Sequence, residues 1–194
     1  MRRHVRHQGG EEFLGAHIAV VARRSPLGVA SAAAVIVGHA VGRGDAGGVR
    51  RSTVAALAVG AGFMAVMAVL LIGAPELLSR AYTSDPGVLA LAVLLMPIAG
   101  VFQVFDGLQV VSIGLLRGLG DTRVPMLVNI VGFWCIGIPV SLTLGFVVGY
   151  GAVGLWWGLV VGLVIVATFL IVRVRQHEHR DFARVVIDEH RPSP

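Results

Sequence analysis

The sequence predicts an all-α membrane protein in which four spanning helices follow one short or damaged N-terminal helix. Three observations predict it. Hydrophobic residues make up 56% of the 194-residue chain and charged residues only 14%, against about 25% charged in an ordinary soluble domain. The mean hydropathy is +0.82. The apolar residues are gathered into long uncharged runs, with the arginines between those runs and in the tails. A helix needs about 20 apolar residues to cross the hydrocarbon, and these runs supply them.

Taken in order, residues 1–13 form a polar segment carrying Arg2, Arg3 and Arg6. Residues 13–22 are apolar, Arg23-Arg24 interrupts them, and residues 25–42 are apolar again but short, with Pro26, Gly28 and His39 inside. A spanning helix here would leave the first arginines on the wrong side of the membrane, so this helix is expected to insert poorly or to follow a non-native N-terminal segment. The segment lacks the apolar run and cleavage site of a secretory signal. Residues 54–74 are charge-free and long enough to span. Residues 88–116 exceed the need, which predicts a tilt or a kink at Pro97. Residues 124–172 carry no acidic or basic side chain across 49 positions. That suffices for two helices, broken at Gly149-Tyr150-Gly151, with Pro139 kinking the first. Gly154, Gly158 and Gly162 recur every fourth residue on the second, a pattern that admits a close neighbour. The organisation is then a polar N-terminal segment at 1–13, a helical bundle at 14–174 and a polar tail at 175–194.

The arginines set the orientation. Arg43, Arg50 and Arg51 precede the first full span, Arg117 and Arg123 separate the second and third, and Arg173 and Arg175 follow the fourth. The opposite loops hold only Arg80, beside Glu76 and Asp85. The positive-inside rule places the Arg-rich edge and the C-terminus in the cytoplasm of a multi-pass plasma-membrane protein, the inner membrane of a bacterium.

Composition and spacing also exclude functions. The net charge of +5 is spread over segment ends without an aromatic-interleaved basic face, so no nucleic-acid partner is expected. No nucleophile–base pair, acidic dyad or phosphate-cradling Gly-Lys-Ser/Thr loop is present, so no enzyme is expected. Cys135 is the one cysteine and reads as a small apolar residue. His177, His179 and His190 lack companions for a metal site.

The chemistry lies inside the membrane. A carboxylate at bilayer depth costs roughly 2.5–3.5 kcal/mol on insertion scales, yet Asp106 stands within the second run. At 100° per residue, Gln103 and Gln109 each lie about 60° from Asp106, and Arg117 returns to within about 20° of it. Asp106 is about 16 Å along the axis from Arg117, close to the midplane of a core about 30 Å thick. This face should turn toward protein or a water-filled cavity, where Asp106 would bind a cation or a proton, or donate a structural hydrogen bond. Asn129, on the next run, would either join helices or line the same cavity. Two loops share a theme: Gly42-Arg43-Gly44-Asp45, and Arg117-Gly118-Leu119-Gly120-Asp121-Thr122-Arg123. In each, glycine permits a tight turn, aspartate caps the following helix, and arginine reaches a lipid phosphate or a nearby carboxylate.

The stretch Phe102-Gln103-Val104-Phe105-Asp106-Gly107-Leu108-Gln109-Val110-Val111, followed by Leu116-Arg117-Gly118-Leu119-Gly120-Asp121-Thr122-Arg123-Val124-Pro125-Met126, resembles the multidrug and toxic compound extrusion (MATE) family. Val37-Gly38-His39-Ala40-Val41-Gly42-Arg43-Gly44-Asp45 resembles that family's cytoplasmic loop, and Leu14-Gly15-Ala16-His17 the start of the helix before it. The resemblance runs from about residue 14 to residue 174. It implies twelve helices in two similar six-helix bundles, of which this chain is similar to the second, without its first helix and with an altered second one. It implies export of cationic or amphipathic drugs against a sodium or proton gradient, with no cofactor beyond Na+ or H+. Asp106 matches the acidic residue of the second bundle's cation site, with Gln103, Gln109 and Asn129 along the substrate path. Gly44, Asp45, Arg117, Gly120, Asp121 and Arg123 match the cytoplasmic loop motifs.

The departures sit at the N-terminal end. Ile18 follows His17 where the family has Gln, Ile36 stands where Arg is usual, and Ala22-Arg23-Arg24-Ser25-Pro26 replaces a longer polar and aromatic stretch. Glu11 and Glu12 do not replace the family's second cation-site carboxylate. The expectation is therefore a truncated MATE-type efflux protein that exports nothing by itself and pairs with a missing N-terminal half. The alternatives are a non-transporting membrane remnant of a broken gene and a lipid-linked sugar flippase of the same superfamily.

Overall fold

A computed structural model of the chain describes residues 26–189, with side chains as far as residue 177. The segment at 1–13, the motif at 14–17 and the side chains of His179 and His190 lie outside the described residues. Six helices follow one another: α1 (Pro26–Gly42), α2 (Ala46–Gly73), α3 (Pro75–Arg80), α4 (Pro86–Gly118), α5 (Arg123–Val147) and α6 (Gly151–Glu189). Among the described residues there is no strand. Four helices are long and apolar enough to cross a membrane: α2, α4, α5 and α6 as far as His177. The chain is a multi-pass membrane protein.

Local chemistry explains where each helix starts and stops. Asp45 precedes α2 and accepts a hydrogen bond from Gly48 N at 2.8 Å. Asp85 precedes α4 and accepts from Gly87 N at 2.8 Å and Val88 N at 3.1 Å, with Pro86 in the first turn. Such caps satisfy amides that the helix itself cannot. The capped starts also place α2 and α4 earlier than hydropathy alone suggests, because Arg50 and Arg51 remain helical outside the apolar run. Between α5 and α6 the break falls as expected, with Gly149 and Gly151 at φ 86° and 56°. The short helix α3 was not anticipated; it begins at Pro75, and its Arg80–Glu76 pair at 2.7 Å is well exposed and so adds little.

α4 remains one helix through Pro97. Pro139 does not end α5; wide π turns at Gly132–Gly137 and Thr143–Val147 flank it. A π turn shifts the hydrogen-bond register, which absorbs the amide that proline lacks and the crowding of its ring. α6 also continues beyond the apolar run to Glu189, since neither Gly nor Pro occurs between 173 and 189.

α4 is the central helix, packed against α2 on one side and α6 on another, while α5 packs along α6. Val111 lies against Gly60 and Met64 against Gly107, joining α4 to α2. Gly114 and Gly118 meet the backbone of Ala30 and Ala34, joining α4 to α1. Val37, Val111, Leu115, Leu116, Val166, Leu170 and Val174 form a shared core at the Arg-rich end. Large apolar side chains such as Val69, Trp134 and Phe146 are mostly exposed, as a lipid-facing surface requires.

Candidate functional site

Asp106 lies near the middle of α4, and its neighbours fix which way it faces. Gly107 and Val111 meet α2. Gly114 meets α1. Phe102 packs edge-on against Trp156 of α6, with ring centroids 6.0 Å apart. Gln109 donates through Nε2 to Asn129 Oδ1 of α5. On the wheel these contacts lie to either side of Asp106, and none of them is made by Asp106 itself. It is half-buried and, among the described residues, has no hydrogen-bond or ion-pair partner. Gln103, one turn earlier, is also half-buried, and Arg117 at the helix end is exposed.

The polar face drawn on the wheel is therefore divided. Gln103, Asp106 and Arg117 share the side between those contacts. Gln109 is only 7% exposed, turned into the helix contact, with its Oε1 left without a partner. Asn129 is engaged at both ends of its amide, since its Oδ1 accepts from Gln109 and its Nδ2 donates to Pro125 O at 2.9 Å. Of the two roles weighed for Asn129, this geometry is that of a residue joining α4 to α5.

The two glycine–aspartate loops are one structure used twice. Gly44 and Gly120 have φ of 66° and 82°, the left-handed region that disfavours any side chain. Gly44 N donates to Val41 O at 3.0 Å and Asp45 N to Ala40 O at 2.9 Å. Gly120 N donates to Arg117 O at 3.1 Å and Asp121 N to Leu116 O at 2.8 Å. Each pair closes a helix end in a Schellman motif, and the aspartate then caps the next helix. Asp45 does so through Gly48 N at 2.8 Å, and Asp121 through Val124 N at 3.3 Å.

Asp121 has a second task. Its Oδ2 accepts from Arg173 Nε at 3.0 Å and meets His177 Nε2 at 3.1 Å, both on α6. Its side chain is 10% exposed. Burial alone would push this carboxyl up, but the bonds from Arg173, Val124 N and His177, with the charge of Arg173, outweigh it and hold it below 3.8. The carboxylate thus ties the α4–α5 turn to the end of α6. Arg173 and His177 escaped the sequence reading as its partners, which looked to the loops' own arginines. Arg43, Arg117 and Arg123 are exposed and, among the described residues, unpaired. The available signal was the four-residue spacing of Arg173 and His177, which puts both on one helix face.

The sequence model of the MatE family matches residues 15–143. A "Probable multidrug resistance protein NorM" from Brucella suis is 42% identical over 157 residues, covering 78% of this chain and 33% of that protein. A "Multidrug resistance protein NorM" from Burkholderia vietnamiensis is 43% identical over 171 residues, covering 83% and 37%. The chain spans about a third of the length of the curated relatives it matches. Among solved structures, the eukaryotic MATE transporter AtDTX14 superposes with a TM-score of 0.74 at 19% identity, covering 95% of this chain and 42% of that one. An inward-facing multidrug resistance MATE family transporter gives 0.77 at 14% identity, covering 87% and 39%. These likenesses carry the fold.

Proposed function

This chain belongs to the MatE family, and from that premise we propose that it forms one wall of a cation-coupled multidrug exporter, with Asp106 as its coupling residue. The family's members are transporters rather than enzymes, and the curated relatives of this chain are named as multidrug resistance proteins. The observation that carries the proposal is the placement of Asp106: a carboxylate in the apolar run of α4, without a partner among the described residues, between the contacts to α1 and α2 on one flank and those to α5 and α6 on the other. Water or a second protein wall must meet that side, because a bare carboxylate against lipid is too costly to keep. Sodium or a proton would neutralise it there, and an amphipathic cationic drug would compete with that ion for the same charge. Differential affinity of Asp106 for the ion in inward- and outward-open states would then couple the two fluxes.

The opposing wall comes from a complementary bundle. The Arg-rich edge, with Asp121 and the end of α6, faces the cytoplasm in this reading, because arginines collect at that edge. Gln103 lines the path beside Asp106, while Gln109 and Asn129 hold α4 against α5 behind it. The proposal is tested in drug-sensitive bacteria that express the chain alone or together with the N-terminal half of the Burkholderia vietnamiensis relative. Ethidium efflux is expected only from the pair. Efflux from neither would overturn the proposal that this chain serves as a transport wall.

A further inference from the structure

We propose that the outer face of the first turns of α2 is a binding site for an anionic phospholipid, with the phosphate held by Arg50 and Arg51. Gly47, Arg50, Arg51, Val54, Ala55 and Ala58 line a shallow groove of about 570 Å³. Both arginines are exposed and, among the described residues, neither has a hydrogen-bond or ion-pair partner. The nearest acid in sequence, Asp45, is committed to Gly48 N. Two guanidinium groups therefore lie on the first turns of α2 at the membrane edge, neither of them in a direct ion pair among the described residues.

Immediately deeper, the groove turns apolar. Gly47, Arg51, Val54 and Ala58 recur at four- and three-residue steps and so form one stripe along the helix. Val54 is 60% exposed, and the alanines keep the floor low enough for an acyl chain to lie on it. Charge at the edge and a narrow apolar track beneath it follow the order of groups in a phospholipid: phosphate, then hydrocarbon. Arginine suits that phosphate because its planar fork can donate two parallel hydrogen bonds to it. A soluble phosphate would use the arginines but not the track, and a zwitterionic lipid would use the track but cancel the charge.

The test uses the full chain in dodecyl maltoside micelles, titrated with phosphatidylglycerol, phosphatidylcholine or inorganic phosphate and followed by native mass spectrometry. Phosphatidylglycerol is expected to bind at least tenfold more tightly than either alternative. The double variant Arg50→Gln/Arg51→Gln should lose roughly tenfold or more of that affinity, at about tenfold per 1.4 kcal/mol and about 1 kcal/mol per arginine near an anionic surface. Arg123→Gln, which removes one exposed arginine at the same edge, should change it less than twofold. Ala58→Trp keeps both arginines and fills the track, and should weaken binding by a similar tenfold. The proposal is overturned if the double variant binds as the parent does, if Ala58→Trp has no effect, or if phosphate or phosphatidylcholine matches phosphatidylglycerol. No transport is measured, so this result and that of the cation-site proposal are independent.

Discussion

Asp106 and Asp121 are fifteen positions apart and are held in opposite ways. Asp121 is paired with Arg173 and His177 and caps α5, whereas Asp106 has no partner among the described residues. A carboxylate with partners stabilises; a carboxylate without them in an apolar helix costs stability and so suggests use. Asp121→Asn should therefore destabilise the purified chain by about 1.5–3 kcal/mol, the scale of a buried hydrogen bond to a charged group, read as a lowered unfolding midpoint in detergent. An unchanged midpoint would remove the tie from the account. Because the folded chain holds this carboxyl below its ordinary value, through Arg173, Val124 N and His177, its contribution is complete above the ordinary aspartate range and is lost as pH falls through the lowered value. The midpoints of the parent and Asp121→Asn should thus converge in acid, below about pH 4. Divergence toward low pH would contradict that sign. The tie itself was illegible in the sequence, because residues 121 and 173 meet only after two membrane crossings bring them to one edge.

At the scale of helices, hydropathy placed the four spans and the turn at Gly149–Gly151, since both follow from local composition. It could not say which neighbour stands at which angle around α4. Gln109 lies only about 60° from Asp106 on the wheel, yet α5 claims the first and leaves the second free. It also missed α3, whose six residues are too few for a periodic signal. The four-residue glycine pattern did carry through. A Cβ on Gly158 would run into the backbone of Ser141, and one on Gly162 would come within 2.6 Å of Gly137 Cα. Ser141 Oγ donates to Leu155 O at 2.6 Å across the same contact. Gly158→Leu should force α5 and α6 apart and cost about 1–3 kcal/mol. Gly62→Ala on α2, where a Cβ meets nothing within 4 Å, should be neutral or slightly stabilising. Similar midpoints for the two variants would show that the close contact matters less than its geometry implies. Asn129→Leu strands Gln109 and should cost roughly 0.6 kcal/mol, and not more than about 1.7, the range found for such bonds between membrane helices. A loss well beyond that would point to a larger role for the pair.

For the whole molecule, the chain spans about a third of its curated relatives, and its most telling residue has no partner among the described residues. The motif around Asp106 was legible because it is local; its lack of a partner among the described residues needed the packing of α1, α2, α5 and α6 around α4. Both point to one wall of a two-walled machine, closed at its Arg-rich edge by the Asp121 tie and open along Gln103 and Asp106. Expressed without a complementary bundle, the chain should give no gradient-driven ethidium efflux. Efflux at the level of a full-length relative would refute the need for a second wall. The central claim is that Asp106 couples export to a cation, and the most direct test is reconstitution. Proteoliposomes holding the chain paired with a complementary bundle are given an imposed sodium or proton gradient, and ethidium movement is followed for the parent and for Asp106→Asn. One of the two gradients should drive ethidium in the parent, and Asp106→Asn should lower the driven rate at least tenfold while the pair still assembles. An Asp106→Asn pair that still moves ethidium at the parent's gradient-driven rate would contradict that claim.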